Sequence, residues 1–202
     1  MFNLQPSDKI GLLGMSGSGK TYLMSYLIKN YFKNVKKYVI DPVGYFSIIK
    51  DVYQVGKSQL KNEYKDCNLT ALRFNNPDSL DNLCWVFNRY NKPMVLFIDE
   101  INNYISINPY IPQHLKIYVN SGRNFNHGLV YSTQRIGLLN NNVFSNTNYI
   151  FYFKLGNTND LRELNNLLPF DFFKLDNTLD KNKHNFYLID KNNNELYGIY
   201  SI

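Results

Sequence analysis

The segment Gly14-Met15-Ser16-Gly17-Ser18-Gly19-Lys20-Thr21 constrains this chain more than any other stretch. It fits the pattern GxxxxGK[ST]. It follows the apolar run Lys9–Leu13 and opens a stretch of helical periodicity, Lys20 to about Phe32, with Leu23, Leu27 and Tyr31 four apart. The glycines let the backbone turn tightly, so that successive N–H groups converge on phosphate oxygens. The positive end of the following helix adds to that field. Lys20 can reach the β and γ phosphates of a nucleotide, and the Thr21 hydroxyl can ligand Mg²⁺. At average composition the four fixed positions match by accident about 4 times in 10⁵, so the chance of a match anywhere in the chain is under about 1%. The competing reading is a flexible Gly/Ser loop.

Around this loop the pattern alternates strand and helix. Strands are expected at Lys9–Leu13, Lys37–Ile40, Ala71–Phe74, Met94–Ile98, Leu129–Ser132 and Ile150–Phe153. Helices are expected at Asp78–Tyr90, with Pro77 suited to its start, at about Gln113–Asn120 and at Asp160–Leu168. Residues 44–68 are harder to read, with a helix starting within Ile48–Tyr53. Two alternating runs, Asn185–Asp190 and Glu195–Ser201, flank KNNN as a terminal hairpin. The fold class expected is α/β: a RecA-like P-loop NTPase with a mostly parallel sheet, helices on both faces and a C-terminal β-hairpin. With 202 residues, no internal repeat and no long linker, one domain spanning 1–202 is expected.

Met94–Ile98 ends in Asp99-Glu100. Carboxylates at the carboxyl end of a buried strand face the ligand crevice of an open α/β sheet. Asp99 would hold Mg²⁺ through a water, and Glu100 would act as general base on the attacking water. Alternatively, both carboxylates cap a helix beginning near Ile101. A GTPase pattern is absent, because no NKxD follows the acidic pair, and so is an ABC-type LSGGQ segment. A small-molecule kinase is not excluded by the loop, although arginine is scarce for an Arg-rich lid. Downstream, the strand within Ser121–Arg135 ends in Ser132-Thr133-Gln134-Arg135. An amide there can hydrogen-bond both the γ-phosphate and the attacking water; it can also be an ordinary polar strand end.

Taken in order, Gly14–Thr21, Asp41-Pro42, Asp99-Glu100 and Gly122-Arg123…Gly128…Thr133-Gln134-Arg135 resemble the FtsK–HerA superfamily of DNA-pumping ATPases. The resemblance covers about Lys9 to Arg135. A core of this length is most similar to the genome-packaging ATPases of tailless icosahedral double-stranded DNA viruses, of the archaeal turreted type. Where HerA-like members often read DPxGEY, this chain carries Tyr45 in place of the Glu. The resemblance implies a homo-oligomeric ring, pentamer or hexamer, with ATP and Mg²⁺ at subunit interfaces and a neighbour's arginine completing each site. Arg123 holds the motif position for that finger, followed by Arg73 and Arg89, while Arg135 would couple the site to the sheet. It also implies ATP hydrolysis coupled to moving double-stranded DNA without sequence reading, and capsid-vertex or portal partners in the host cytoplasm, in association with a virion or procapsid. A nucleotide-dependent scaffold stays open as an alternative, as does the kinase.

Composition adds less. Lys plus Arg number 22 against 16 Asp plus Glu, a net charge of +6. That permits an anionic partner without demonstrating one, and the Asn-, Lys-, Tyr- and Ile-rich usage points partly to AT-rich codons. The densest basic run, Lys33–Lys37, reads as a solvated helix end, and the Asn-rich segment Gly137–Asn148 as a surface loop or a pore loop. Cys67 and Cys84 show no CxxC pattern and are expected to be reduced structural thiols. His114, His127 and His184 lack metal spacing. No secretory signal or membrane span is expected.

Overall fold

The computed structural model describes residues 3–32, 34–46, 54–55, 61–74, 76–105 and 111–202. The described elements are β1 (Lys9–Leu13), α1 (Lys20–Asn30), β2 (Lys36–Ile40), β3 (Gln54–Val55), β4 (Leu69–Leu72), α2 (Pro77–Phe87), β5 (Met94–Ile98), α3 (Gln113–Ser121), β6 (His127–Thr133), α4 (Asn141–Ser145), β7 (Tyr149–Phe153), α5 (Thr158–Leu167), α6 (Phe172–Thr178), β8 (Asn185–Asp190) and β9 (Glu195–Ser201). The strands form one sheet in the order β3-β4-β2-β5-β6-β1-β7-β8-β9. The block from β4 to β7 is parallel, and antiparallel strands flank it on both sides.

The inner strands are buried on both faces, which is why they read as unbroken apolar runs. Alternate residues enter two cores. Ile10, Leu12, Val95, Phe97 and Val130 pack with Leu23, Met24, Leu27 and Ile28 of α1. Leu13, Leu96, Ile98, Leu129 and Tyr131 pack on the other face with residues of α2 to α6, among them Leu80, Leu115, Phe144, Leu164 and Phe172. Asn76 caps α2, its side chain accepting from the Ser79 N–H at 2.7 Å, and Pro77 takes the first helical position as expected.

The predicted elements recur with several differences. The strand expected at Ala71–Phe74 lies at Leu69–Leu72, so that Arg73 and Phe74 follow its carboxyl end. Among the described residues a 3₁₀ turn, Ile101–Asn103, directly follows the acidic pair, and no carboxylate hydrogen bond caps it. Ile48–Tyr53 lies outside the described residues. The Asn-rich segment contains α4, which buries Val143 and Phe144, with Asn140 as its cap. It is therefore packed on the core rather than an open loop. Lys37 is fully buried, not solvated. Its ammonium donates to the Phe32 and Val35 carbonyls just past α1, and burial pushes its pKa down to about 8. Lys33 lies outside the described residues. Both cysteines are free. Among the described residues no helix is long and apolar enough to cross a membrane.

Candidate active site

The loop Gly14–Gly19 joins β1 to α1. It is anchored by two neighbouring strands: the Gly14 N–H donates to the Thr133 carbonyl at 3.2 Å and the Met15 N–H to the Lys154 carbonyl at 2.8 Å. Gly19 stands at φ +107° as the helix N-cap, with His184, Ile202 and Phe153 closing in, so a side chain there would be both strained and crowded. Gly17 also has a positive φ, +74°. The Lys20 ammonium is buried and donates to the carbonyls of Gly14 and Met15 at 2.7 and 2.9 Å. Burial pushes its pKa down, while Glu100 and Asp99 pull it back up.

β6 separates β1 from β5 in the sheet, although the strands between the two motifs in sequence are β2, β3 and β4. The carboxyl ends of β1, β6 and β5 thus converge. The Thr21 hydroxyl donates to Asp99 Oδ2 at 3.4 Å, and the Ser132 hydroxyl donates to Asp99 Oδ1 at 2.5 Å. The same Ser132 oxygen accepts from the Glu100 N–H at 2.8 Å. Glu100 adopts φ +54°, a left-handed conformation uncommon for a residue with a side chain. Its carboxylate accepts from the Gln134 backbone N–H at 3.3 Å and from the Gln134 side-chain amide at 3.0 Å. Asn102 Nδ2 donates to Thr133 Oγ1 and to the Arg135 carbonyl, bracing this strand end. Lys20, Thr21, Asp99, Glu100 and Gln134 therefore meet at one crevice.

Arg123 lies elsewhere. It is exposed in the turn Gly122–Phe125 before β6, at the amino edge of the sheet, where Asp8 and Lys9 are in range of its charge. Gly128 of the same motif is required by packing: a Cβ there would lie 2.2 Å from the Pro6 carbonyl oxygen. Beside it, His127 is buried and stacks on Tyr118, and burial lowers its pKa. Arg73 is buried at the carboxyl end of β4, where its Nε donates to the Asp41 carbonyl and its guanidinium pairs with the Asp41 carboxylate at 3.8 Å. Arg89 stacks on Trp85 at 4.0 Å. Arg135 pairs with buried Asp160 of α5 at 3.0 Å, so it ties the strand end to a helix rather than to the sheet.

Three features escaped sequence reading. Asp41 Oδ1 and Oδ2 accept from the Tyr45 and Phe46 N–H groups, folding the Asp-Pro segment back so that Tyr45 faces the phosphate loop. Lys181 and His184, from the turn before β8, lie against Gly17 and Gly19. Finally, buried Asp176 accepts from Tyr152 Oη at 2.8 Å, Leu155 N–H at 2.7 Å and Gly156 N–H at 3.2 Å, with the Lys154 ammonium 3.5 Å away. It holds the turn whose Lys154 carbonyl anchors Met15. Asp176→Ala would leave these donors unpaired in the interior and is expected to cost about 3 kcal/mol of stability. Urea unfolding checks this; a loss below about 1 kcal/mol would remove Asp176 as the support of the loop.

Two observations bear on nucleotide and metal. Ser18 Oγ is buried in the loop with no hydrogen-bond partner among the described residues, as a phosphate cradle would leave it. The Thr21 hydroxyl and the Asp99 carboxylate are adjacent hard oxygen donors of the kind Mg²⁺ prefers. The residues present fit both.

The strand order, the loop and the acidic pair define a P-loop NTPase fold. Among solved structures the chain is similar to the genome packaging NTPase B204 from Sulfolobus turreted icosahedral virus 2 in complex with AMP: TM-score 0.74, 20% identity, 98% of this chain and 100% of that one covered. It is similar also to B204, the DNA-packaging ATPase from Sulfolobus turreted icosahedral virus, at TM-score 0.72 and 19% identity, with 98% of both chains covered. The cytoplasmic domain of the Thermomonospora curvata type VII secretion ATPase EccC matches at TM-score 0.64 and 15% identity over 98% of this chain and 25% of that one. No family model and no curated protein matches the chain.

Proposed function

We propose that this chain is an ATP-hydrolysing motor that translocates double-stranded DNA and packages a viral genome into a preformed capsid, working as a homo-oligomeric ring. The observation that carries the reading is the convergence of Lys20, Thr21, Asp99, Glu100 and Gln134 at the carboxyl ends of three adjacent strands. The likeness to B204 along nearly the whole of both chains supports the packaging role.

In this reading Gly14, Met15, Ser16, Gly17, Ser18 and Gly19 wrap the phosphates with backbone N–H groups, and Lys20 exchanges its loop carbonyls for β- and γ-phosphate oxygens. Thr21 and Asp99 hold Mg²⁺, which when bound neutralises charge developing across the β and γ phosphates. Glu100 takes the proton of the water whose oxygen attacks the γ-phosphorus, while the bond to the β–γ bridging oxygen breaks and leaves ADP and phosphate. Gln134 orients the Glu100 carboxylate through its two hydrogen bonds and can pass its amide to the γ-phosphate. Ser132 fixes Asp99.

ATP hydrolysis measured with and without double-stranded DNA, with oligomer size on the same sample, tests the proposal. DNA-stimulated hydrolysis by a ring is expected. Phosphorylation of a small acceptor without any DNA effect would replace the motor by a kinase, and nucleotide binding without turnover would replace it by a scaffold.

A further inference from the structure

The phosphate loop forms only one wall of its cleft. The cleft encloses about 540 Å³ and is lined by Gly17, Gly19, Lys20, Thr21 and Tyr22 on one side and by Tyr45, His184 and Ile202 on the other. The second wall comes from distant parts of the chain. Tyr45 follows the folded-back Asp41 segment, His184 precedes β8, and Ile202 follows β9. A Cβ built on Gly19 would lie 3.1 Å from His184 Cβ and 3.3 Å from Ile202 Cδ1, so the C-terminal hairpin packs directly on the loop.

The chemistry of that wall, and of Tyr22 across from it, differs from the rest of the site. Lys20, Thr21, Asp99 and Glu100 offer charge and hard oxygen. Tyr22, His184 and Ile202 offer a phenol ring, an imidazole and an aliphatic chain. Tyr22 is 60% exposed, and His184 is also exposed, so both stand free to receive a ring. In the ATPase reading Lys20 takes the β and γ phosphates and Thr21 the metal, and Tyr22, Tyr45, His184 and Ile202 line the remainder of the same cleft, the part left for the nucleoside end of the ligand. Past Tyr22 and Ile202 the surface stays apolar, in a groove reaching Tyr26, Tyr31 and Tyr200.

From this juxtaposition we infer that Tyr22, His184 and Ile202 form the nucleobase subsite of the cleft, with the base stacked between α1 and the C-terminal hairpin. The inference rests on the ATPase reading above and deepens it. It makes the hairpin part of the ligand site rather than only an edge of the sheet. His184 holds a left-handed backbone, φ +49°, a conformation uncommon for non-glycine residues and enriched in Asn, Asp and His.

Calorimetric binding of ATP and of inorganic tripolyphosphate separates the base from the phosphates. His184→Asn keeps a residue that tolerates the left-handed backbone and removes the ring; Tyr22→Ala removes the other. Each is expected to weaken ATP about tenfold while leaving tripolyphosphate within about twofold. Lys20→Ala is expected to weaken both ligands. Unchanged ATP affinity in both ring variants, or equal affinity of the parent protein for ATP and tripolyphosphate, would overturn the subsite and leave the phosphate loop standing. If the parent protein binds neither ligand, the ATPase reading itself falls, and the subsite with it.

Discussion

Arg123→Ala is expected to lower ATP turnover by about 10³- to 10⁵-fold while leaving nucleotide binding nearly intact, the signature of a finger supplied by a neighbouring subunit. Geometry makes the prediction sharp. Arg123 precedes β6 and Gln134 follows it, so the two sit at opposite ends of a strand of seven residues, about 20 Å apart. Arg123 cannot serve the site of its own chain. Its competitors are engaged within their own subunit: Arg73 is buried on Asp41, Arg89 stacks on Trp85 and Arg135 pairs with Asp160. Mixed oligomers of the proposed ring decide the matter. Subunits carrying Arg123→Ala are expected to regain part of their activity when mixed with Glu100→Gln subunits, whose Arg123 is intact. Loss without such rescue would place the effect inside one subunit, and unchanged turnover would remove the finger altogether.

Glu100→Gln is expected to reduce the maximal rate by about 10²- to 10⁴-fold with ATP affinity preserved. The substitution keeps shape and removes only the basic oxygen. One consequence is specific to this site. Gln134 donates its backbone N–H and its side-chain amide to the Glu100 carboxylate, and a glutamine at position 100 can accept through one oxygen only. The left-handed backbone of Glu100 and the Ser132 link to both acidic residues keep the side chain aimed at the crevice even so. Single-turnover measurements separate the chemical step from binding; a variant that hydrolyses ATP at the parental rate would leave Glu100 with a structural role alone.

Much of this arrangement could be read from residues alone, because it is written locally. The phosphate loop, the strand Met94–Ile98 with its acidic end, and the terminal hairpin each depend on a motif or a period contained within about a dozen residues. Their positions in the structure match those readings. What escaped depends on long-range pairing. Nothing near Asp176 signals that it will accept three hydrogen bonds beneath the loop, since its donors are Tyr152, Leu155 and Gly156. Lys37 looks like part of a solvated basic run, yet it is buried and donates to the Phe32 and Val35 carbonyls just past α1. His184 lacks any metal-like spacing, and its place in the cleft follows from how β8 meets β7, not from its neighbours in sequence. Strand order belongs to the same class: β6 meets β5, which brings Gln134 to Glu100, and also meets β1, from which it is separated by more than a hundred residues.

That pairing has a consequence for how the protein is made. β1 is synthesised more than a hundred residues before either of its partners, β6 and β7. Until then an apolar strand and a glycine-rich loop have nothing to pair with, and contacts of such separation form slowly. The emerging chain therefore carries an aggregation-prone segment until β6 and β7 have been made. Because Gly14 and Met15 are anchored to residues 133 and 154, the phosphate cradle is completed only after the ribosome has passed them. A nucleotide held in that cradle can therefore stabilise the finished fold but cannot guide its early steps.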